Sequence, residues 1–494
     1  MLFRSNAGWD AQSFHFSVVP SLMDRTPGVE IPLSDGSYPR DYQVESGQWS
    51  ARDAGSSTHR AHPNYPDSPH FAMGPGSTLF TDSQLASDVL IWGGAYYREA
   101  GHVVGTSAIN AGLNTAYAAS FSSLAAATWA RTSLRPLHYV WLASDIYANR
   151  GLLGSFGDAI RIPDQDTWNS MVGTDVDPEI TALRTTIDAT LDTILRNTTE
   201  SSLKRVFSKS QFESFRSSLA SAYRLKALLA PSSDPASLSS QLTSLIAEYR
   251  SLFEGLASHA LVTDWNASAE GSRYVFASRF SSQIATLAFR FALAELLITQ
   301  DLSAVIDLQG LFVDAHDNNK SERALIGMNF AGMSHLIEKL KATALPDGSG
   351  RSFLDVTTLA MYTEWDRHLY LSDHDGLTGT GPGTGHGITC SAIMAGAGVA
   401  TGRVVGGLLH SQSTHPTHAS LFGALTDPWS GHPFSDRWNL GAGLPIDTST
   451  GVPDPNGSFP YIESMFPTMV QLLGLTMPSQ QITTHAAIPA LIRS

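Results

Sequence analysis

Short apolar runs bounded by turn residues predict several buried β-strands. The first such run, Asp88–Trp92, ends at a Gly-Gly pair. The others are His138–Ser144, Ser303–Val313, Thr357–Tyr362 and Ile388–Ala395. Short continuous apolar runs of this kind are typical of strands that are buried on both faces of a sheet.

Helical periodicity dominates the middle of the chain. From Asp177 to Asp301, apolar residues recur every three or four positions, interrupted at Pro231–Pro235, and no obvious chemical motif occurs there. We therefore predict one α/β domain, formed by residues 1–176 and 302–494, with residues 177–301 as a helical insertion.

The order of elements in the last part of the chain predicts a βαβ unit. The strand Ser303–Val313 is followed by a helix, Glu322–Ala344, and by the strand Thr357–Tyr362. Parallel strands joined in this way almost always have a right-handed crossover. The Ala-rich stretch Ala108–Ala130 contains no proline and predicts a further helix.

Composition and charge narrow the classes of function. The 494 residues carry a formal net charge of −14, which argues against a nucleic-acid binder because such proteins need a basic surface. No apolar run reaches the roughly 18 residues of a membrane-spanning helix, so we expect no transmembrane segment.

The single cysteine, Cys390, lies in an apolar stretch and is predicted to be buried. The start of the chain has no basic and apolar leader, so we expect a cytoplasmic protein, or a periplasmic or extracellular one if a leader is removed.

Two clusters of acidic and imidazole side chains follow predicted strands. Asp314 and His316 come after the Ser303–Val313 strand, and alternate residues of an extended segment point the same way, so both can bind one divalent ion. The second cluster follows the Thr357–Tyr362 strand and contains Glu364, Asp366, Arg367, His368, Asp373, His374, Asp375 and His386. Because ligands bind at the carboxyl ends of strands in such sheets, we expect both clusters at one rim. Capping and turn geometry explain polar residues in loops as well.

Two further motifs carry a weaker signal. Asp10 follows Gly8-Trp9, where a turn residue is the ordinary interpretation. Thr106 opens the Ala-rich helix, where a hydroxyl usually acts as a cap. The same position also suits a nucleophile that meets a phosphate or sulfate group at the positive end of a helix.

These motifs occur in the order of a family of sulfatase-like bacterial proteins of unknown function, usually exported by the twin-arginine route, within the alkaline phosphatase superfamily. The family motif Gly-Trp-Asp-Thr-His-Asp-Asn is similar to Phe312–Asn318, and Thr-Thr-Val-Val-x-x-Ser-Glu-Phe-Gly-Arg is similar to Thr357–Arg367. Gly-Gly-x-Asp resembles Ala7–Asp10, and Thr-x-x-His-x-x-Gly resembles Thr106–Gly112. Gly-Thr-Asp-His-Gly resembles Gly383–Gly387.

The resemblance implies an alkaline phosphatase-like mixed sheet sandwiched between helices, with one or two divalent ions (Zn, Ca, Mg or Mn) at a rim site. The metal ligands it implies are Asp10, Asp314, His316 and His386, with Asp373 and His374 as the alternative pair. The catalytic residues it implies are Thr106, Glu364 and Arg367. The implied reaction is attack on a small-molecule or polymer-borne phosphate or sulfate ester, aided by the metal charge.

Two departures from the family pattern keep a second hypothesis open. Ile109 stands where the family has His, and Gly385 stands where it has a ligand-type Asp. With these residues lost, the site would hold one ion or none. The chain would then be a non-catalytic structural or assembly subunit that retains the fold, in a homo-oligomer or a larger assembly.

Overall fold

A computed structural model gives the chain a mixed α/β fold. The structure describes residues 2–5, 9–10, 60–64, 72–73, 75–96, 110–112, 119–129, 135–143, 159–172, 182, 185–186, 189–190, 237–259, 280–311, 319–363, 366–367, 389–407, 425–426, 428, 443–477 and 485–493. Its main strands are β1 Leu2–Ser5, β5 Val89–Tyr96, β6 Tyr139–Leu142, β7 Ile160–Arg161, β8 Val305–Gln309, β9 Thr358–Thr363, β11 Thr389–Gly396 and β12 Arg403–Gly406. Two short pairs lie outside the main sheet, namely β2 Trp9–Asp10 with β10 Asp366–Arg367, and β3 Arg60–Ala61 with β4 Ala72–Met73.

The main sheet has eight strands in the order β12-β5-β11-β9-β1-β8-β6-β7. Each pair of neighbours is parallel except at β11, which is antiparallel to both β5 and β9. The first strand, β1, lies between β8 and β9, with Leu2 in register with Asp307 on one side and Ala360 on the other. The five apolar runs that predicted strands correspond to β5, β6, β8, β9 and β11, and these predictions are confirmed.

Helices cover both faces of this sheet. They are α1 Asp82–Ser87, α2 Phe121–Trp129, α3 Gln165–Val172, α4 Leu238–Gly255, α5 Ser281–Thr299, α6 Asn319–Ala342 and α7 Met465–Leu472. Because successive side chains of a strand point to opposite faces, Ile306 belongs to the core shared with α4, α5 and α6, whereas Val305 belongs to the core shared with α2 and α7. The sheet therefore lies between two layers of helices, and each of its faces contributes to a separate core.

The described helices of the predicted insertion belong to the core of the protein. Helices α4 and α5 pack against each other, and α5 also contacts α6 and β8. Among the described helices, α5 is the one that could cross a membrane by length and composition, but 67% of its apolar window is buried inside the protein. We therefore assign α5 to the core. The boundaries of the 177–301 segment stay a prediction.

Strand β5 continues through the Gly93-Gly94 pair, where the apolar pattern had predicted its end. Gly94 has φ of 76°, and a Cβ atom there would lie 2.3 Å from the carbonyl oxygen of Gly407. Glycine is therefore required at position 94 because the backbones of two segments approach each other too closely for any side chain.

The prediction of one continuous helix over Ala108–Ala130 is wrong. Residues 110–111 are helical, but Gly112 has φ of 70°, and residues 119–120 are not helical before α2 begins at Phe121. A left-handed glycine is a common way to end a helical turn, and the Ala-rich composition gave no sign of it.

Charged and aromatic side chains join α4, α5 and α6. The Lys339 ammonium donates to both carboxylate oxygens of Glu248 at 3.0 and 3.1 Å, and His335 Nε2 lies 2.9 Å from the same carboxylate. The Tyr249 hydroxyl donates to the buried Glu295 at 2.9 Å. Burial raises the pKa of Glu295, and the bond from Tyr249 offsets only part of this effect. Partial burial also acts to raise the pKa of Glu248, but Lys339 and His335 outweigh it, so that this pKa is lowered.

Gly332 on α6 should tolerate no side chain. A Cβ atom at Gly332 would lie 2.3 to 2.7 Å from ring carbons of Phe291 on α5. We expect Gly332→Ala to lower the free energy of unfolding by about 1–3 kcal/mol through overpacking, measured by urea denaturation. Gly255→Ala is the matched control because nothing lies within 4 Å of a Cβ there, and it should leave stability unchanged or raise it by up to about 1 kcal/mol. Equal effects of the two substitutions would contradict the packing of α5 against α6.

Glu295 and Glu248 should have opposite effects on the pH dependence of stability. The ordinary pKa of both is 4.5. Because the pKa of Glu295 is higher in the folded protein, its contribution to the free energy of unfolding falls as pH rises above 4.5. Glu295→Gln should remove this fall and gain stability relative to wild type between pH 4.5 and 7.

Glu248→Gln serves as the control with the opposite sign. The pKa of Glu248 is lowered, so its stabilisation is present above pH 4.5 and is lost as pH falls through the folded pKa. The variant should therefore be less stable than wild type at pH 7, and the difference should shrink in acid. Urea denaturation at several pH values measures both variants, and parallel pH profiles for Glu295→Gln and wild type would refute the assignment.

Candidate functional site at the carboxyl edge of the sheet

Three neighbouring parallel strands, β8, β1 and β9, end at the same edge of the sheet. Arg4 of β1 is in register with Gln309 of β8 and with Tyr362 of β9. Since β11 is antiparallel, it begins at this edge, where Thr389 is paired with Tyr96, the last residue of β5. We call this side of the sheet, where β1, β5, β8 and β9 end and β11 begins, the carboxyl edge.

Two of the predicted site residues are brought together by strand pairing. Beyond the carboxyl edge, β2 continues from β1 and β10 continues from β9, and these two short strands pair in parallel. In this pairing Asp10 is in register with Arg367. The acid and the guanidinium residue therefore occupy neighbouring backbone positions although they are 357 positions apart in sequence (367 − 10).

The remaining predicted site residues lie outside the described residues. They are Thr106, Asp314, His316, Glu364, Asp373, His374 and His386. In sequence, Glu364 directly follows β9, Asp314 follows β8 closely, and His386 shortly precedes β11. The described ends of these strands all belong to the carboxyl edge.

A buried hydrogen bond links the carboxyl edge to the segment that contains Asn110. The Tyr362 hydroxyl donates to Oδ1 of Asn110 at 2.5 Å, and both residues are buried. Tyr362 is the next-to-last residue of β9, so this bond holds residue 110 close to the carboxyl edge. The sequence does not predict this pair, because neither residue stands out in its apolar or Ala-rich surroundings.

A second polar network, also missed, connects strands β6 and β8 with helix α2. The Tyr139 hydroxyl donates to Asp307 at 2.7 Å, and the Ser122 hydroxyl donates to the other carboxylate oxygen at 2.8 Å. Burial raises the pKa of Tyr139 well above its ordinary value, and the charge of Asp307 adds to this effect. A lone acid inside the apolar run Ser303–Val313 was the available signal for this network.

The described residues hold no metal centre of their own. Within the described ranges, no group of three or more His, Cys, Asp and Glu side chains is arranged to hold a metal ion. A cavity of about 800 Å³ lies at the opposite edge of the sheet, where its lining includes Val305 and Thr358 at the starts of β8 and β9. None of the predicted site residues is among its described lining, so strand order and not cavity size identifies the candidate edge.

Comparisons with known proteins add no relative. The chain matches no protein-family model, no curated protein and no solved structure. The assignment of a candidate site to the carboxyl edge therefore depends on the strand pairing and the side-chain contacts of the chain itself.

The bond between Tyr362 and Asn110 should contribute measurably to stability. We expect Tyr362→Phe to lower the free energy of unfolding by about 1–3 kcal/mol, because it leaves the buried carbonyl of Asn110 without this donor. A double-mutant cycle with Asn110→Ala, followed by urea denaturation, should give a coupling energy of about 1 kcal/mol. Additive effects would show that the two side chains do not interact.

Proposed function

We propose that the protein is a metal-dependent phosphoric or sulfuric ester hydrolase with an alkaline phosphatase-like fold and its site at the carboxyl edge. The observation that carries the proposal is the strand order. The sequence motifs are far apart in the chain, but the strands that precede or follow them all end or begin at the carboxyl edge. Strands β1, β8 and β9 lead towards Asp10, Asp314 and Glu364 respectively, and β11 follows His386. The register between Asp10 and Arg367 supports the same site.

The link between Tyr362 and Asn110 supports Thr106 as the nucleophile. Thr106 precedes Asn110 by four positions, and four residues of chain span at most about 14 Å. The bond from Tyr362 to Asn110 therefore limits the distance between the Thr106 hydroxyl and the carboxyl edge. In the proposed reaction, the Thr106 hydroxyl loses its proton, its oxygen attacks phosphorus or sulfur, and the bond to the ester oxygen breaks, so that the alcohol leaves with a proton. Water then cleaves the new bond to the Thr106 oxygen, which releases phosphate or sulfate and returns the threonine hydroxyl.

The donor set fits a divalent ion. Carboxylates and imidazoles, as in Asp10, Asp314, His316 and His386, suit Zn²⁺ or Mn²⁺, whereas a site dominated by carboxylates suits Mg²⁺ or Ca²⁺. Asp373 and His374 form the alternative ligand pair. A bound ion would lower the pKa of the attacking hydroxyl and neutralise the charge on the transferred group. Arg367 would contact the anionic oxygens of that group, and Glu364 would orient Arg367 or a ligand.

The non-catalytic hypothesis keeps a specific sequence observation in its favour. Gly385 offers no ligand beside His386, and Ile109 offers none near Thr106. A chain with these losses would use the same fold as a structural or assembly subunit. Activity and metal content separate the two hypotheses.

We expect hydrolysis of an aryl phosphate or aryl sulfate to be lost on chelation and restored by Zn²⁺, Mn²⁺, Mg²⁺ or Ca²⁺. Thr106→Ala should lower kcat by at least about 1000-fold because the nucleophile is absent. Thr128→Ala is the control, since that exposed hydroxyl on α2 donates to the Leu124 carbonyl and should not affect activity. His386→Ala should raise the metal concentration needed for activity.

Gly385→Asp provides the test of the missing ligand. If only that ligand is absent, the substitution should increase metal affinity in a direct metal titration. A protein that binds no metal, hydrolyses neither ester and gains nothing from Gly385→Asp would refute the hydrolase proposal and favour the structural subunit.

A further inference from the structure

Arg290 places a buried cation at the carboxyl edge. It lies on α5, its residue surface is 6% exposed, and its Nη1 donates to the backbone carbonyl of Gln309 at 2.7 Å. Gln309 is the last residue of β8. It is in register with Arg4 of β1, which is in turn in register with Tyr362 of β9. Because neighbouring strands are about 4.8 Å apart, the Gln309 backbone lies about 10 Å across the sheet from that of Tyr362.

The charge of Arg290 is not compensated by any carboxylate of the described residues. Three other arginines are more exposed than Arg290, and each forms an ion pair with an acid; they are Arg135, Arg250 and Arg351. In contrast, Nε of Arg290 is buried and has no partner in the part of the chain that the structure describes. Burial lowers the pKa of Arg290 to about 10, and no acid among the described residues counteracts this effect.

A buried guanidinium of this kind requires an anionic partner. Taking a charge out of water is strongly unfavourable unless the charge is paired, so buried arginines in proteins are almost always paired. A guanidinium carries five N–H donors in a planar fork that matches the oxygens of a phosphate, sulfate or carboxylate group. The bond to Gln309 uses one donor and adds no negative charge.

We propose that Arg290 anchors a tetrahedral oxyanion, a phosphate or sulfate group, at the carboxyl edge. The choice of a tetrahedral oxyanion rests on the proposed function, whereas the need for an anion rests on the burial of Arg290 alone. In the hydrolase, Arg290 would determine specificity by binding the transferred group or a second anionic group of the substrate. The rival partner is a carboxylate of this chain, and Asp314 and Asp317 are the nearest acids after β8 in sequence.

Calorimetric titration of the full chain with inorganic phosphate and inorganic sulfate tests the proposal. Titration with acetate compares a planar oxyanion with the tetrahedral ones. Titration with chloride at matched ionic strength controls for screening of charge. The titrations are made before and after chelation, so that binding by Arg290 is separated from binding by a metal ion. We expect Arg290→Met to weaken binding of phosphate or sulfate by at least about 10-fold, the loss of one or two charge-assisted hydrogen bonds. Arg290→Lys should give an intermediate loss because it keeps the charge but not the fork.

Arg250→Met is the matched control. Arg250 lies on the neighbouring helix α4, its side chain is 58% exposed and it pairs with Glu254, so its loss should leave anion binding within about 3-fold of wild type. Failure of wild type to bind phosphate or sulfate, a preference for acetate, or equal binding by wild type and Arg290→Met would overturn the proposal.

A double-mutant cycle distinguishes the rival. If Arg290 pairs with Asp314 or Asp317, then Arg290→Met and Asp314→Asn or Asp317→Asn will show strong coupling in the unfolding equilibrium, and this result would also overturn the proposal. Binding of phosphate that depends on Arg290, in a protein with no esterase activity under any metal, would leave the anion site standing while the hydrolase proposal fails.

Discussion

The fold depends on the insertion of one four-residue strand, β1, between β8 and β9. The first residues of the chain complete a sheet whose other strands lie between residues 89 and 406. Leu2 is in register with both Asp307 and Ala360. Backbone groups in the middle of a sheet must be paired, so without β1 the facing edges of β8 and β9 would lack their partner. Contacts between such distant segments form slowly, since the entropy of closing a long loop opposes them.

This central pairing also determines where chemistry can occur. Parallel strands bring their carboxyl ends together, and the single antiparallel strand β11 begins at the same edge. The sequence segments that contain the acidic and imidazole residues therefore follow or precede strand ends that lie on one side of the sheet. The pairing of β2 with β10 continues the same order beyond the main sheet and brings the backbone positions of Asp10 and Arg367 together.

Helix α5 connects the core with the carboxyl edge. It packs on α4, α6 and β8, and its buried apolar residues are of the kind that a membrane span or a protein core would contain. Two charged residues, Arg290 and Glu295, are nevertheless buried on this helix. Glu295 accepts a hydrogen bond from the Tyr249 hydroxyl inside the protein, whereas Arg290 donates to the backbone carbonyl of Gln309 at the end of β8. A helix that supplies core packing therefore also supplies charge near the candidate site.

The sequence by itself determined the class of fold and most of its elements. Apolar runs predicted β5, β6, β8, β9 and β11, and a 3.6-residue period predicted α4, α5 and α6, because each element must bury one face or both. Motif order also indicated that Asp10, Asp314 and Glu364 follow strand ends. Only the tertiary structure decided that β1 is central, that β11 is antiparallel and that β5 continues through Gly94. Backbone pairing is nearly independent of side-chain identity, so the choice of neighbouring strands is made by the packing of the whole sheet. For the same reason, the buried partners Tyr362 with Asn110 and Tyr139 with Asp307 could not be read from local pattern, because each bond joins residues that only the completed sheet brings together.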